Sequence, residues 1–134
     1  MPREDELSPL ARSVPWLHGA LFGIGGLWAV VHRRSFEAVS GPKFDYWLAR
    51  TVGGLLTVIG ILLVQASRRN RITPEITLLA VGSSAVLTSI DVVYTAKRRI
   101  RPVYLLDAVA NIGLILGWAT REAEVRQQQV REIE

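Results

Sequence analysis

Four stretches of the chain are almost free of charge, and short polar segments separate them. The first covers residues 14–31, with His18 its one strongly polar member and Arg33 and Arg34 beyond its end. The second covers 46–66, with Arg50 one turn inside, and Arg68, Arg69 and Arg71 stop it. The third follows Pro74 and Glu75, covers 76–96, and is closed by Lys97-Arg98-Arg99. The fourth follows Pro102, covers 103–119, and gives way to a charged tail over 120–134. At ~1.5 Å per residue, stretches of this length reach roughly 25–32 Å as helices, enough to cross a hydrocarbon core of ~30 Å. In lipid every backbone polar group needs an internal partner, so helices are the reading for segments this long. The pattern predicts an all-α integral membrane protein: an antiparallel four-helix bundle forming one domain over 1–134, with a polar helical tail.

Aromatic residues and prolines mark the same limits. Trp16 and Trp28 bracket the first stretch, Trp47 opens the second and Trp118 closes the fourth, which places all four tryptophans at the headgroup level. Tyr46, Tyr94 and Tyr104 fall near span ends. Pro15, Pro74 and Pro102 sit at or just before span starts, where a missing N–H costs least. The first connection, residues 32–45, is the longest and carries a Ser40-Gly41-Pro42 turn between Phe36 and Phe44, a composition suited to lying folded in the interface. In the tail, Glu122 and Arg126 stand at i,i+4 spacing.

A charged fraction of 21% is ordinary for a soluble protein, and only the segregation of those charges argues otherwise. The absence of cysteine excludes disulfides, thiolate metal sites and cysteine nucleophiles, and two histidines are too few for a histidine-rich metal site. A net charge of +4 raises nucleic acid as a partner. Basic residues flanking apolar spans are explained more simply by topology and lipid phosphates, and the loops lack stacking platforms, so no nucleic-acid partner is expected. The first stretch follows the acidic Glu4-Asp5-Glu6 and precedes three more apolar stretches, so it reads as a retained helix rather than a signal peptide.

Side A is defined here as the side of both termini and the middle loop, side B as that of the first and third loops. Lys and Arg number eight on each, so the positive-inside rule assigns no orientation. The loops of side B hold only two acids, Glu37 and Asp45, against eight on side A, which leaves side B strongly net positive.

The polar residues inside the apolar stretches carry the candidate chemistry. A carboxylate in a membrane helix costs on the order of 2–3 kcal/mol even on lenient insertion scales, so Asp91 and Asp107 are site candidates by default. They lie eight residues either side of Arg99, so a hairpin brings them to one depth, near side B. Arg50 reaches a similar depth on the second helix, bordered by His32 and Asp45, and a network in which Arg50 pairs with the acids is expected. Such a cluster either pins the helices together or forms a proton, ion or ligand site. His18 stands near side A, where snorkelling or capping a neighbour's backbone is its expected role. Ser83, Ser84, Thr88, Ser89, Asn111 and Gln65 are expected to hydrogen-bond between helices, and Gly19/Gly23 and Gly113/Gly117 to permit close helix approach. No catalytic or cofactor-binding motif is present: there is no HExxH, nucleophile elbow, phosphate loop or dinucleotide fingerprint.

Two segments, Ser35-Phe36-Glu37-Ala38-Val39-Ser40-Gly41-Pro42-Lys43 leading into Asp45-Tyr46-Trp47-Leu48, and Asp91-Val92-Val93-Tyr94 followed by Arg99-Ile100-Arg101-Pro102-Val103-Tyr104-Leu105-Leu106-Asp107-Ala108, resemble a group of small uncharacterised four-span bacterial membrane proteins. The layout is similar to DoxX-like proteins, without a specific motif of theirs. The resemblance implies a four-helix bundle in the bacterial cytoplasmic membrane and brings no activity with it. Three functions compete. The first is a non-enzymatic bundle that packs with partners or lipids, with anionic headgroups at the basic loops around Arg33, Lys43 and Lys97–Arg101. The alternative is a small transporter or channel, working as a homo-oligomer, that uses Asp91 and Asp107 for proton or ion coupling. A membrane enzyme acting on lipid, with the two acids as acid and base, ranks last.

Overall fold

The computed structural model describes residues 2–134. These form five α-helices and no strand: α1 (Pro9–Val31), α2 (Arg33–Ser40), α3 (Tyr46–Arg68), α4 (Pro74–Ala96) and α5 (Tyr104–Ile133), preceded by a short 3-10 turn at Glu4–Glu6. Helix starts follow local chemistry. Ser8 Oγ accepts from the Ala11 N–H at 3.2 Å with Pro9 at the first helical position, and Thr73 Oγ1 accepts from the Ile76 N–H at 3.3 Å with Pro74 in the same place. Because this cap starts α1 before the apolar stretch, Pro15 lies inside the helix and not at its start, a correction to the expectation. The tail is a direct continuation of α5. Glu122 in it accepts from Thr77 Oγ1 on α4 at 3.2 Å, a partner in another helix.

Three helices, α1, α3 and α4, are long and apolar enough to cross a membrane. α5 is not among them, since Asp107, Asn111 and Arg121 dilute its apolar stretch. Large aliphatic side chains point outward, with Ile24, Leu55, Val58 and Leu78 all more than half exposed, while several polar groups turn inward. Such contiguous apolar exteriors belong to surfaces that meet lipid or partners.

Packing divides the helices into two hairpins. α1 and α3 are in intimate contact along their length, α4 and α5 form the second pair, α1 touches α5, and α3 barely meets α4. The α1–α3 seam is set by glycine. A Cβ on Gly19 would lie 2.7 Å from the Gly60 carbonyl, one on Gly60 2.6 Å from the Gly19 carbonyl, and one on Gly53 2.6 Å from the Gly26 carbonyl. Backbone meets backbone at both levels, so no side chain of any size fits. Of the glycine pairs expected to matter, Gly19 is in this seam, the Gly23 backbone lies against Gly60, and Gly117 faces Val14, whereas a Cβ at 23 or 113 would itself meet open space.

The A end, toward the termini, is closed. Val14, Leu63, Ala80 and Trp118 form its core, with Ile59, Ile72, Ile76 and Val81 against them. Trp118 is fully buried, which corrects its expected place in an aromatic belt: it points into the bundle, while Trp16, Trp28 and Trp47 are exposed. His18 is also fully buried rather than snorkelling. Trp118 Nε1 donates to His18 Nδ1 at 2.9 Å, and His18 Nε2 lies 3.2 Å from Ser84 Oγ. An indole N–H only donates, so Nδ1 is the acceptor and Nε2–H donates to Ser84, which joins α1, α4 and α5. Outside this core the N-terminal segment is strapped to α5. The buried Arg121 guanidinium donates to both Glu4 carboxylate oxygens, at 2.6 and 3.3 Å, and Glu124 accepts from the Ser8 N–H at 2.8 Å and hydroxyl at 2.7 Å.

Candidate functional site

At the B end the hairpins diverge around a cavity of about 860 Å³. Its walls come from all five helices: Leu21, Phe22 and Trp28 of α1, Phe36 and Val39 of α2, Leu48, Val52 and Leu56 of α3, Leu87 and Ile90 of α4, Leu106 and Ala110 of α5. Its volume falls in the roughly 300–1,000 Å³ range of small-molecule sites, and the mainly apolar lining with a few polar groups is of the same kind.

α2 and the following loop form a lip over this cavity. His32 begins α2, its Nδ1 accepting from the Ser35 N–H at 3.2 Å and lying 2.6 Å from Ser35 Oγ. Gly41 ends it with a φ of +96°, a conformation L side chains rarely adopt, and packs against the Arg101 side chain. Arg101 Nη1 donates to the Ala38 carbonyl at 3.2 Å, which ties the third loop to the lip. The Lys43 ammonium donates to Ser40 Oγ at 3.1 Å and the Gly41 carbonyl at 3.2 Å, and lies over the Phe36 and Tyr104 rings. Tyr46, buried, donates its hydroxyl to the Ala29 carbonyl at 2.7 Å and holds the start of α3 on α1.

The two acids of the third and fourth apolar stretches come together at the depth that their hairpin register predicts. Asp91, 4% exposed, and Asp107, open to the cavity, both line it and adjoin each other closely enough for a hydrogen bond when one oxygen carries a proton. Asn111, one turn deeper on α5, donates from Nδ2 to Asp107 Oδ2 at 3.2 Å and to its carbonyl at 2.9 Å. Asp91 Oδ2 and Asn111 Oδ1 are buried and have no hydrogen-bond partner among the described residues.

The other expected members stand apart. Arg50 is exposed, makes no ion pair among the described residues, and places its guanidinium over the Tyr46 ring at 5.4 Å. One turn separates Arg50 from Tyr46 on the same helix, so the aromatic face is its nearest partner. Asp45 lines the mouth of the cavity, and its side chain leaves the α3 N-terminus uncapped. His32 is engaged in capping α2.

Sequence reasoning missed the lip contacts of Lys43 and Tyr46, the His18–Trp118–Ser84 chain and the Glu4–Arg121 pair. A signal exists only for the seam beside the cavity: Gly19 and Gly26 on α1 repeat at seven residues, as do Gly53 and Gly60 on α3. Seven residues are two helical turns, so each pair shares a face. No protein-family profile, curated protein or solved structure matches this chain.

Proposed function

We propose that this chain is a four-span protein of the bacterial cytoplasmic membrane, a non-enzymatic four-helix bundle that holds an amphiphile between its two hairpins at the B end. The observation that carries this reading is the 860 Å³ cavity with apolar walls and a polar mouth. In a bilayer such a space fills with hydrocarbon, and the lip makes it a bounded site rather than an annular groove. The fourth span covers residues 103–119, mostly on α5; its polar residues turn inward, Asp107 toward the cavity and Asn111 toward Asp107, and Arg121 just beyond it turns toward Glu4. The exposed basic residues Arg33, Arg34, Lys97, Arg98 and Arg99 suit anionic headgroups around the mouth.

Native mass spectrometry of protein extracted in a mild detergent tests this. The reading expects one retained amphiphile per chain, and its loss in Ala49→Trp, which fills the cavity from α3. Bare protein in both cases contradicts it. A second reading, a homo-oligomeric transporter coupling through Asp91 and Asp107, draws support from the carboxyl pair lacking a cationic partner. It expects proton-coupled uptake in liposomes that Asp91→Asn abolishes without lowering thermal stability, and a stable monomer in bilayers counts against it.

A further inference from the structure

The cavity's polar groups are not a balanced set. The Lys43 ammonium is taken up by Ser40 and Gly41 oxygens, and the Arg50 guanidinium is turned onto Tyr46. No cation among the described residues is paired with Asp91 or Asp107: the two carboxyls line the cavity, and Asn111, one turn along α5, has its amide N–H groups engaged by Asp107. Asp91 is 4% and Asn111 3% exposed, and each has a buried oxygen without a partner among the described residues. A buried oxygen without a donor costs about 1–3 kcal/mol, and more when charged; a proton shared by the two carboxyls serves one of these oxygens, and the negative charge left on the pair has no cation beside it among the described residues. Two carboxyls and one amide are too few oxygens to replace the shell of calcium, which takes six to eight. Apolar walls begin directly beyond them.

We propose that the amphiphile held at the B end is a lipophilic cation: a hydrogen-bond-donating ammonium head seated on Asp91 and Asp107, with its hydrocarbon tail between the hairpins. This rests on the amphiphile reading and names the chemistry of its head. The direction of the site agrees. Asp91 stands near the C-terminal end of α4 and Asp107 in the first turn of α5, so the head lies near side B. Leu87, one turn deeper on α4, and Leu21, Phe22 and Leu56, farther in on α1 and α3, line the path of the tail. An N⁺–H···O⁻ bond in this apolar setting is roughly twice as strong as a neutral one, which selects an ammonium over an alcohol of equal length. The basic loops outside repel the same cation, so selection belongs to the interior and not to surface attraction.

Calorimetric titration of the protein in phosphatidylcholine nanodiscs, with empty discs subtracted, separates the possibilities. The probes are dodecylammonium chloride, 1-dodecanol and sodium dodecanoate. Dodecylammonium is expected to bind at least tenfold more tightly than dodecanol, with dodecanoate weakest. Asp91→Asn together with Asp107→Asn is expected to bring the ammonium to the affinity of the alcohol while leaving the alcohol unchanged. Equal affinities for ammonium and alcohol in the wild-type protein overturn the proposal, and that comparison needs no variant to fold. A preference for dodecanoate overturns it as well and assigns the head to Lys43 or Arg101. If dodecanol binds and the ammonium gains nothing, the head selectivity alone fails. If no probe binds, the amphiphile reading fails with it.

Discussion

At the A end the two hairpins close on each other; at the B end the same helices leave about 860 Å³ between them. The two ends differ in how their polar groups are matched. At the A end Trp118 N–H meets His18, His18 meets Ser84, and the Arg121 terminal nitrogens meet Glu4, so each charged or ring group has a partner within the chain, with Arg121 Nε alone left over there. At the B end Asp91 and Asp107 line the cavity without a cation, and Asp91 Oδ2 and Asn111 Oδ1 are buried without a partner among the described residues. The contrast shows what polarity does inside an apolar bundle: reciprocal pairs draw helices together, while a one-sided set leaves a place for something else. Shape follows the same division. The indole of Trp118 fills the A end, whereas at the B end Trp28, Phe36 and Phe44 line the cavity without filling it.

The largest expected effect lies in the A-end core. Trp118→Ala removes a fully buried indole and leaves His18 Nδ1 without its donor, at a cost of about 3–5 kcal/mol, read as a fall in thermal stability in detergent. Leu87→Ala, on the wall of the B-end cavity, is expected to cost less than about 1 kcal/mol, because the space beside it is already open. Equal losses at the two positions would erase the distinction between the ends.

Gly60→Ala comes next. Its new methyl group would meet the backbone of α1, which cannot rotate away as a side chain can, and a loss of about 2–3 kcal/mol is expected. Gly113→Ala is the control: position 113 opens on free space in the middle of α5, so a gain of up to about 1 kcal/mol is expected from helix propensity. Unfolding in denaturing detergent with circular dichroism measures both.

The strap at the N-terminus gives a smaller effect. Glu4→Gln deprives the buried Arg121 of its anion, and with Glu4 itself partly exposed the expected cost is about 2 kcal/mol. Glu124, in the part of α5 beyond the proposed span, is held below the usual carboxylate range first by the Ser8 N–H, then by the Ser8 hydroxyl and Arg121. Its folded value lies under its unfolded one, so its contribution is present above the ordinary value of 4.5 and is lost as pH falls through the depressed one. The Ser8 amide resonance is therefore expected to move toward its unstructured position in acid below pH 4.5, with Leu63 in the core unmoved. A Ser8 signal that ignores acid would show that the carboxylate does not hold the strap.

The apolar stretches are legible because a membrane helix must exclude charge along its whole length, and no folding partner can excuse a lapse. The meeting of Asp91 and Asp107 is legible for a related reason: a short antiparallel hairpin fixes depth by counting from its turn. Arg50 is not, because depth leaves direction open, and the Tyr46 ring one turn away captured a side chain that was expected to reach the acids. Trp118 shows the limit of the aromatic-belt rule. A tryptophan at a span end satisfies its N–H equally well from a headgroup or from a buried imidazole, and only packing decides. The cavity has no local signature, because it arises where α3 and α4, which barely meet, leave space between the hairpins.

Fluorescence of the tryptophans at the two ends tests the open end against the closed one within a single molecule. In a variant with Trp16 and Trp47 replaced by Phe, Trp28 reports the cavity and Trp118 the A-end core. Titrated in nanodiscs with a brominated long-chain alcohol, Trp28 should be quenched to saturation at a stoichiometry near one per chain, and Trp118 should stay bright. Quenching of Trp28 that rises only in proportion to the alcohol in the bilayer, or that affects both residues alike, would contradict a bounded site at the B end.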